Sequence, residues 1–303
     1  MRRSRWRWPL RVLALGYLTF LVVLPVGTIF FRAFQHGFGA AWDAVTTPDA
    51  LHALWLTLLV VLIAVPLDTA FGVGVALILS RHRFRGAWLL DAFVDLPLAI
   101  SPVIVGISLI LVYGKTGWFG NWLAARGIEV IFSLPGIVMA SATVALPYVV
   151  REVLPVLQEI GTEQEQAATT LGAKPLAIFR RITLPSIRSS LAYGVTLTTA
   201  RVLGEFGGVL VVSGAIAGKT ETLTLFISDS FDNLNIVGAY AGAVILALIA
   251  LGVLGLFARG QADHEHPKES RLRRWRSPSD PSPNVSGTRL PSTTSASMSP
   301  TAP

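Results

Sequence analysis

The chain has 303 residues, of which 52% are hydrophobic and only 14% are charged, and its mean hydropathy is +0.59. A soluble domain of this length carries more charge, so the composition favours an integral membrane protein. The sequence contains no cysteine, which excludes a disulfide framework and a thiolate metal site.

Six apolar segments are long enough to cross a bilayer, for which a helix needs about 20 residues. The predicted spans are residues 12–31, 53–80, 93–113, 130–150, 191–212 and 236–257. A cleaved signal peptide is the alternative for the first span, but its apolar run exceeds the roughly 7–15 residues of a signal sequence. The sequence therefore predicts an all-α integral membrane protein with six transmembrane helices, the first of them uncleaved.

The positions of the positive residues predict the orientation. Most lysines and arginines lie in the segment 1–11, the loops 81–90 and 151–190, and the segment after the sixth span. The opposite flanks hold Arg32, Lys115, Arg126 and Lys219. Because lysine and arginine are enriched in cytoplasmic loops, both termini are predicted to be cytoplasmic. The net charge of +7 is then an orientation signal, and we expect no nucleic-acid partner.

The longest internal loop separates the fourth and fifth spans, and it is predicted to form two short helices. Thr162 and Glu165 have the spacing of a capping box at the start of the first helix. Gly172 suits the left-handed cap at its end. Pro175 opens the second helix, which Pro185 is expected to end. An amphipathic loop of this kind either lies on the membrane surface or docks on a partner.

The stretch GAIAGKT, Gly214 to Thr220, has the ending of a phosphate-binding loop. That motif needs its first glycine at position 213, where this chain has Ser213, and it needs a strand before it. Here a predicted transmembrane span precedes the stretch, which lies on the predicted outer face. We therefore expect no nucleotide to bind at GAIAGKT.

The segment 259–303 is rich in Arg, Ser, Pro and Thr and has few apolar residues. It cannot bury enough surface to offset the entropy of ordering, so we predict a disordered cytoplasmic tail. Its arginines either hold the C-terminus inside or lie on anionic lipid headgroups. His264 and His266 are predicted to be solvated residues of this tail, and no metal site is expected.

The loop between the fourth and fifth spans resembles the EAA motif of ABC-importer permeases: Glu-Ala-Ala, three residues, Gly, nine residues, then Ile-x-Leu-Pro. The matching stretches here are QAATTLG and, nine residues later, ITLP. The resemblance implies that the loop is a coupling helix that docks in a groove of an ATP-binding subunit. The residues assigned to this coupling are Gln166, Ala167, Ala168, Gly172, Ile182, Leu184 and Pro185. Gln166 departs from the motif, which has Glu there, and Glu165 lies one place early.

The resemblance narrows through three stretches: VDLPLAISPVIVG in the third span, the loop itself, and RVLGEFGGVLVVSGAIAGKTETLTL from the fifth span onward. Together they resemble sulfate/thiosulfate permeases, and in particular the second of the two paralogous subunits of that system. Molybdate or tungstate permeases share LGEFG and the loop, and they are the alternative within the family. The resemblance covers nearly all of residues 12–257.

The resemblance implies a fold like that of type I ABC-importer permeases in the cell (inner) membrane. It divides the chain into a basic N-terminus at 1–11, a transmembrane permease domain at 12–258 with the cytoplasmic coupling loop 151–190, and the tail. The implied partners are two copies of an ATP-binding subunit, a paralogous permease subunit, an extracytoplasmic sulfate-binding protein and the lipid bilayer. The chain is expected to be non-enzymatic, with no cofactor and no catalytic residue.

Charged residues inside the predicted spans are candidates for function, because a charge at bilayer depth costs at least about 2.5 kcal/mol. Arg201 and Glu205 are four residues apart and are predicted to share one helix face and to pair. They line the translocation pathway or its gate, or they only hold the helix against its neighbours. For Asp68 and Asp95 a hydrogen-bonded structural role is an equal alternative. The nearby glycines 204, 207 and 208 are expected to permit close helix packing.

Two other classes of protein remain as alternatives to an importer subunit. An ion-coupled secondary transporter would favour an internal repeat and broken helices that meet at a midplane ion site, and the sequence shows no repeat. A membrane-embedded enzyme would need a convergent set of catalytic residues, which the sequence does not offer.

Overall fold

The computed structural model of the chain describes residues 7–82 and 84–275, and the side chains of residues 11–82 and 84–255. Over these residues the regular structure is helical, which confirms the predicted all-α class. The helices in chain order are α1 (Arg7–Leu18), α2 (Leu24–Phe34), α3 (Phe38–Val45), α4 (Pro48–Arg81), α5 (Ala87–Ala99), α6 (Pro102–Tyr113), α7 (Gly120–Ala124), α8 (Leu134–Ile160), α9 (Glu163–Thr170), α10 (Pro175–Ile178), α11 (Leu184–Leu203), α12 (Gly207–Ser213), α13 (Leu223–Asp232) and α14 (Ile236–Trp275). Two π-helical turns, Thr19–Val23 and Phe179–Thr183, join α1 to α2 and α10 to α11.

The membrane spans agree with the six predicted apolar segments. Within the described residues, 4 helical segments are each long and apolar enough to cross a membrane: Arg11–Phe34, Pro48–Arg81, Leu134–Ile160 and Ile236–Gly255. Two bent pairs, α5 with α6 and the helix ending at Leu203 with α12, raise the number to 6 when each pair counts as one span. The third and fifth predicted spans are each formed by two helices that meet at a bend.

The third predicted span breaks between α5 and α6, which are bent by 114° relative to each other. Ile100 and Ser101 at the break have extended backbone, with ψ of 142° and 136°. Pro102 explains the break, because the ring of proline disfavours the helical conformation in the residue before it. The same proline then occupies the first turn of α6, where its missing N–H costs no hydrogen bond.

Helix α8 packs against α4, α11 and α5 and forms the centre of the bundle. Val149 of α8 is fully buried, and glycines on two neighbouring helices leave room for it. A Cβ atom at Gly72 of α4 would lie 2.7 Å from the Val149 side chain, and one at Gly194 of α11 would lie 3.2 Å from the Val149 Cα atom. Such small residues let helix backbones approach closely. They hold α4 and α11 against α8, and the coupling loop connects the last two of these helices, α8 and α11.

Of the described residues, those up to Gln261 form one compact unit, and those from Ala262 belong to a second. Helix α14 covers the sixth predicted span and the first residues of the predicted tail. Residues 276–303 lie outside the described residues, so the disorder of the tail stays a prediction. The side chains of His264 and His266 also lie outside the part that the structure describes.

Candidate functional site

The loop that carries the EAA-like motif has the predicted helix–glycine–helix form. Helix α9 ends before Gly172, whose φ of +82° is the left-handed conformation that the sequence predicts. The Gly172 N–H donates to the Thr169 carbonyl oxygen at 2.9 Å, and the Ala173 N–H donates to the Ala168 carbonyl oxygen at 3.0 Å. These bonds close the last turn of α9 and reverse the chain into α10, which begins at Pro175 as predicted.

The predicted capping box at the start of α9 is wrong. Thr162 is the N-cap residue, but its side chain makes no hydrogen bond to the backbone of the first turn. Instead its hydroxyl oxygen accepts from Nε2 of Gln166 at 2.9 Å. The Glu165 carboxylate is used elsewhere, since it pairs with Arg81 at 3.0 Å. A charge-assisted bond of this kind is about twice as strong as a neutral one, which explains why the carboxylate leaves the cap.

The prediction that Pro185 ends the second helix is also wrong. The chain continues from α10 through the π-helical turn Phe179–Thr183 into α11, with Pro185 in the first turn of α11. Proline lacks an N–H and clashes with the carbonyl four residues earlier in a regular α-helix. A wider π turn ahead of Pro185 relieves both constraints, because the hydrogen-bond spacing there is five residues.

The motif residues divide by exposure. The exposed ones are Gln166, Ala167, Gly172 and Pro185, and the half-buried ones are Ala168, Ile182 and Leu184. Two large apolar side chains stand out beside them, since Leu171 is 88% and Leu176 is 69% exposed. Apolar side chains that protrude on both sides of a sharp turn are suited to insertion into a groove on another protein.

The second candidate site is the charged pair of the fifth span. Arg201 and Glu205 are paired as predicted, with 2.6 Å between Nη1 and Oε2. The Glu205 side chain is only 2% exposed and the Arg201 side chain is 26% exposed. The second carboxylate oxygen, Oε1, accepts from the Gly208 N–H at 2.8 Å. The carboxylate is thus fixed between the two helices, while the Arg201 side chain is partly exposed.

The pair does not share one helix, so that part of the prediction is wrong. Helix α11 ends at Leu203, and Glu205 lies in the break before α12, where the chain bends by 53°. Gly204 caps α11 and is exposed, so it makes no close helix contact. The Glu205 carboxylate contacts the Arg201 guanidinium and also accepts from the N–H of Gly208 in the first turn of α12. The helix dipole favours a negative charge at that position.

The two glycines at the start of α12 permit close packing, as predicted. A Cβ atom at Gly207 would lie 3.1 Å from Cγ2 of Val103, and one at Gly208 would lie 3.1 Å from the Pro102 carbonyl oxygen. On the facing helix, a Cβ atom at Gly106 would lie 2.8 Å from the Gly208 carbonyl oxygen. Helices α6 and α12, the second halves of the two bent pairs, therefore pack backbone to backbone beside the Arg201–Glu205 pair.

The two other intramembrane acids have different environments. Asp95 accepts from Nε of Arg151 at 2.7 Å, and Asp91 contacts the same guanidinium at 2.9 Å, so that α5 is tied to α8. This favours the structural alternative for Asp95. Asp68 is buried, and its Oδ2 has no hydrogen-bond partner among the described residues.

The GAIAGKT stretch is a loop between two helices, α12 and α13, that closes on itself. The Thr220 hydroxyl donates to the Ser213 carbonyl oxygen at 2.7 Å and accepts from the Ile216 N–H at 3.2 Å. In a phosphate-binding loop these groups would point at a phosphate chain or its metal ion. Here the threonine and the backbone are used to shape the loop itself.

Glu221 follows this loop and gives a testable pH dependence. Burial, together with Asp229 and Asp49, raises the pKa of Glu221 from 4.5 to about 7, and His52 acts in the opposite direction. Since the pKa is higher in the folded state, the stabilisation from this group is complete below pH 4.5 and is lost as the pH rises to about 7. We expect Glu221→Gln to remove this decline, measured as unfolding temperature in detergent between pH 5 and pH 8. The exposed Glu129→Gln is the control, and an equal pH slope in the wild type and Glu221→Gln would contradict the assignment.

Sequence reasoning missed two residues of the coupling loop's surroundings, Arg81 and Thr183. Arg81 counted only as a topological charge, and its partner Glu165 lies 84 positions away. Thr183 stands at the variable position of Ile-x-Leu-Pro, so the motif assigns it no role. The only sequence signal for either residue is Arg81 itself, a basic residue without an assigned role at the end of a span.

The chain is similar to known transport proteins over most of its length. Residues 69–269 match the family model for the binding-protein-dependent transport system inner membrane component. The chain is 48% identical over 250 residues to the sulfate transport system permease protein CysW of Synechocystis sp., which covers 82% of this chain and 91% of that protein. It is 37% identical over 245 residues to the sulfate transport system permease protein CysT of Salmonella typhimurium, which covers 81% of this chain and 88% of that protein.

A solved structure supports the fold independently. The crystal structure of a bacterial ABC transporter involved in the import of the acidic polysaccharide alginate has a chain that matches with a TM-score of 0.71 at 17% identity. The match covers 87% of this chain and 97% of that one. The predicted resemblance to ABC-importer permeases is thereby confirmed for the fold as well as for the sequence. The chain belongs to the family of inner membrane components of binding-protein-dependent transport systems.

Proposed function

We propose that the chain is the transmembrane permease subunit of an ATP-driven importer of sulfate and thiosulfate. The observation that carries this proposal is the 48% identity to a sulfate transport system permease over 82% of this chain and 91% of that protein. The higher identity to that CysW protein than to the CysT relative supports assignment as the second of two paralogous permease subunits.

The proposed partners follow from the exposed loop. Leu171 and Leu176 would insert into a groove of an ATP-binding subunit, of which the complex would hold two copies, one for each permease subunit. A paralogous permease subunit would complete the pathway, and an extracytoplasmic sulfate-binding protein would deliver the anion to the opposite face. This arrangement places both termini and the coupling loop in the cytoplasm, in keeping with the distribution of lysine and arginine.

The proposed role of Arg201 is to meet the anion as it passes the break between α11 and α12. Its guanidinium is paired with the buried Glu205, and the arginine side chain as a whole is still 26% exposed. A planar guanidinium presents several N–H donors to the oxygens of a tetrahedral oxyanion. Glu205 neutralises the arginine in part, so that the anion would be attracted without being retained.

The experiment that tests the function is uptake by the complete importer in proteoliposomes. We expect uptake of radiolabelled sulfate to require the binding protein outside and ATP on the coupling-loop side. Thiosulfate should compete, and molybdate at the same concentration should not. Uptake that continues without ATP and follows an ion gradient would contradict the proposal. If molybdate competes and thiosulfate does not, the chain would instead be assigned to the molybdate permeases.

A companion prediction concerns the source of the ATPase activity. We expect the purified chain alone to show no saturable ATP binding, because the GAIAGKT loop is closed by its own hydrogen bonds. Lys219→Ala should leave the ATPase activity of the assembled complex unchanged, since this lysine lies at the far end of α4 from the coupling loop. Binding of a labelled ATP analogue to the isolated chain would contradict this prediction.

A further inference from the structure

Helices α9 and α10 of the coupling loop have little apolar attachment to the rest of the chain, although Phe179, the residue after α10, packs against a core cluster that includes Leu157 and Ile187. In helices α9 and α10, all of whose residues the structure describes, no residue is buried. Two apolar side chains beside the turn, Leu171 and Leu176, are exposed to solvent. Burial of apolar surface is the usual source of helix stability in proteins, and it is weak for these two helices. A polar interaction can therefore contribute much of what fixes the direction of α9.

A charged bridge provides that interaction. Oε1 of Glu165 in α9 accepts from Nη2 of Arg81 at 3.0 Å and from the Thr183 hydroxyl at 2.7 Å. Nη1 of Arg81 donates to the Leu157 carbonyl oxygen at 2.9 Å. Leu157 lies in the last turn of α8, where carbonyl groups have no partner within the helix. One arginine and one carboxylate therefore connect the ends of α4 and α8, the loop helix α9 and the turn that leads into α11.

The bridge is sheltered enough to be strong. The Arg81 and Glu165 side chains are 13% and 22% exposed, and Thr183 is buried. Exposed ion pairs contribute little, but a shielded pair with further hydrogen bonds at both ends is screened less by solvent and holds a defined geometry. We call the side chains of Arg81, Glu165 and Thr183 the loop latch.

We propose that Arg81, Glu165 and Thr183 are positioning residues that transmit movement of the coupling loop to the transmembrane helices. Since the latch is anchored on α4, α8 and α11 at once, a displacement of α9 is passed to the three helices at the centre of the bundle. The proposal rests on the proposed docking of an ATP-binding subunit at this loop. It adds that docking and transmission are carried by different faces of α9.

The shifted glutamate of the motif is consistent with this division. Successive residues of a helix are separated by about 100° around its axis. Glu165 therefore faces the bundle and the latch, whereas Gln166 is exposed and bonds only to Thr162 at the start of the helix. The carboxylate at position 165 would transmit movement of the loop to the transmembrane helices. The outer face at positions 166 and 167 would contact the ATP-binding subunit.

The decisive variants are Glu165→Gln and Thr183→Val, studied in the complete importer in proteoliposomes. We expect both variants to bind the ATP-binding subunit and to hydrolyse ATP. The amount of sulfate transported per ATP should fall by about threefold or more, since coupling through such networks changes by that order. Glu159→Gln is the control, because it removes an exposed carboxylate from the last turn of α8, outside the latch and outside the motif residues, and it should leave this ratio unchanged.

Amide hydrogen exchange in the same complexes tests the latch independently of transport. Residues 163–170 should exchange about tenfold faster in Glu165→Gln than in the wild type, and Glu159→Gln should not differ from the wild type. Unchanged exchange and an unchanged transport ratio in Glu165→Gln would overturn the latch. Failure of the wild-type chain to bind the ATP-binding subunit would instead overturn the proposed function. If Glu165→Gln does not accumulate, Thr183→Val decides, because it removes one hydroxyl and leaves the ion pair.

Discussion

Gly172→Val is expected to detach the ATP-binding subunit or to uncouple ATP hydrolysis from transport, while the six spans still insert. Gly172 has a φ of +82°, which β-branched residues strongly disfavour at a cost of about 1–3 kcal/mol. No heavy atom lies within 4 Å of the place that a Cβ atom would occupy, so the effect comes from the backbone alone. The turn between α9 and α10 would rearrange and separate Leu171 from Leu176.

Pull-down of the ATP-binding subunit and the sulfate-to-ATP ratio in proteoliposomes measure this effect. We expect the affinity to fall by about tenfold or more, as a loss of at least 1.4 kcal/mol implies. Gly127→Val is the matched control, because Gly127 also has positive φ, also has open space around it, and lies at the opposite end of α8. Gly172→Asn should retain most of the coupling, since asparagine tolerates the left-handed conformation. Normal assembly and transport in Gly172→Val would remove the coupling assignment.

Arg201→Gln is expected to accumulate in the membrane and to assemble with the ATP-binding subunit, yet to transport sulfate at least about tenfold more slowly, as loss of about 1.4 kcal/mol in the barrier implies. The pathway role predicts this result because the exposed part of the guanidinium contacts the anion. The Gly208 N–H continues to bind the Glu205 carboxylate in this variant. A glutamine at position 201 can also donate a hydrogen bond to it.

The double variant Arg201→Gln with Glu205→Gln separates the pathway role from a purely structural one. If the pair were only structural, each single variant would leave a buried or half-buried charge without its partner, at a cost of about 3–5 kcal/mol. Both would then accumulate poorly and the double variant would recover. Membrane abundance and sulfate uptake of the three variants are the measurements. Restored uptake in the double variant would contradict the pathway role. Arg151→Gln is the reference for a purely structural change, because it breaks the ion pairs between α5 and α8, and its membrane abundance and uptake are measured in parallel.

The sequence allowed prediction of the features that depend on local chemistry. Hydropathy alone located the six apolar segments, since each span must be apolar over its own length. The turn at Gly172 and the helix start at Pro175 follow from residues within a few positions of each other. The family resemblance rests on the same kind of local pattern, the spacing from Gln166 to Pro185.

Features that depend on distant partners could not be predicted. Glu165 has the spacing for a capping box with Thr162, and only the three-dimensional arrangement brings Arg81 close enough to compete for it. The break before α12 was missed for a related reason. The apolar run of the fifth span continues through Gly204 and Glu205, and hydropathy does not record that the carboxylate caps a new helix there.

The π-helical turn Phe179–Thr183 has a consequence for how this segment can vary. An α-helix advances about 1.5 Å and rotates about 100° for each residue, so the number of residues in the turn sets the azimuth of α9 and α10 relative to α11. Substitutions in the turn keep that azimuth. Loss of one residue with the wide turn retained would rotate Leu171 and Leu176 about the helix axis by about 100°, which is more than a quarter of a circle. The spacing between the loop and the span is therefore a fixed length, in which replacements are tolerated and insertions or deletions are not.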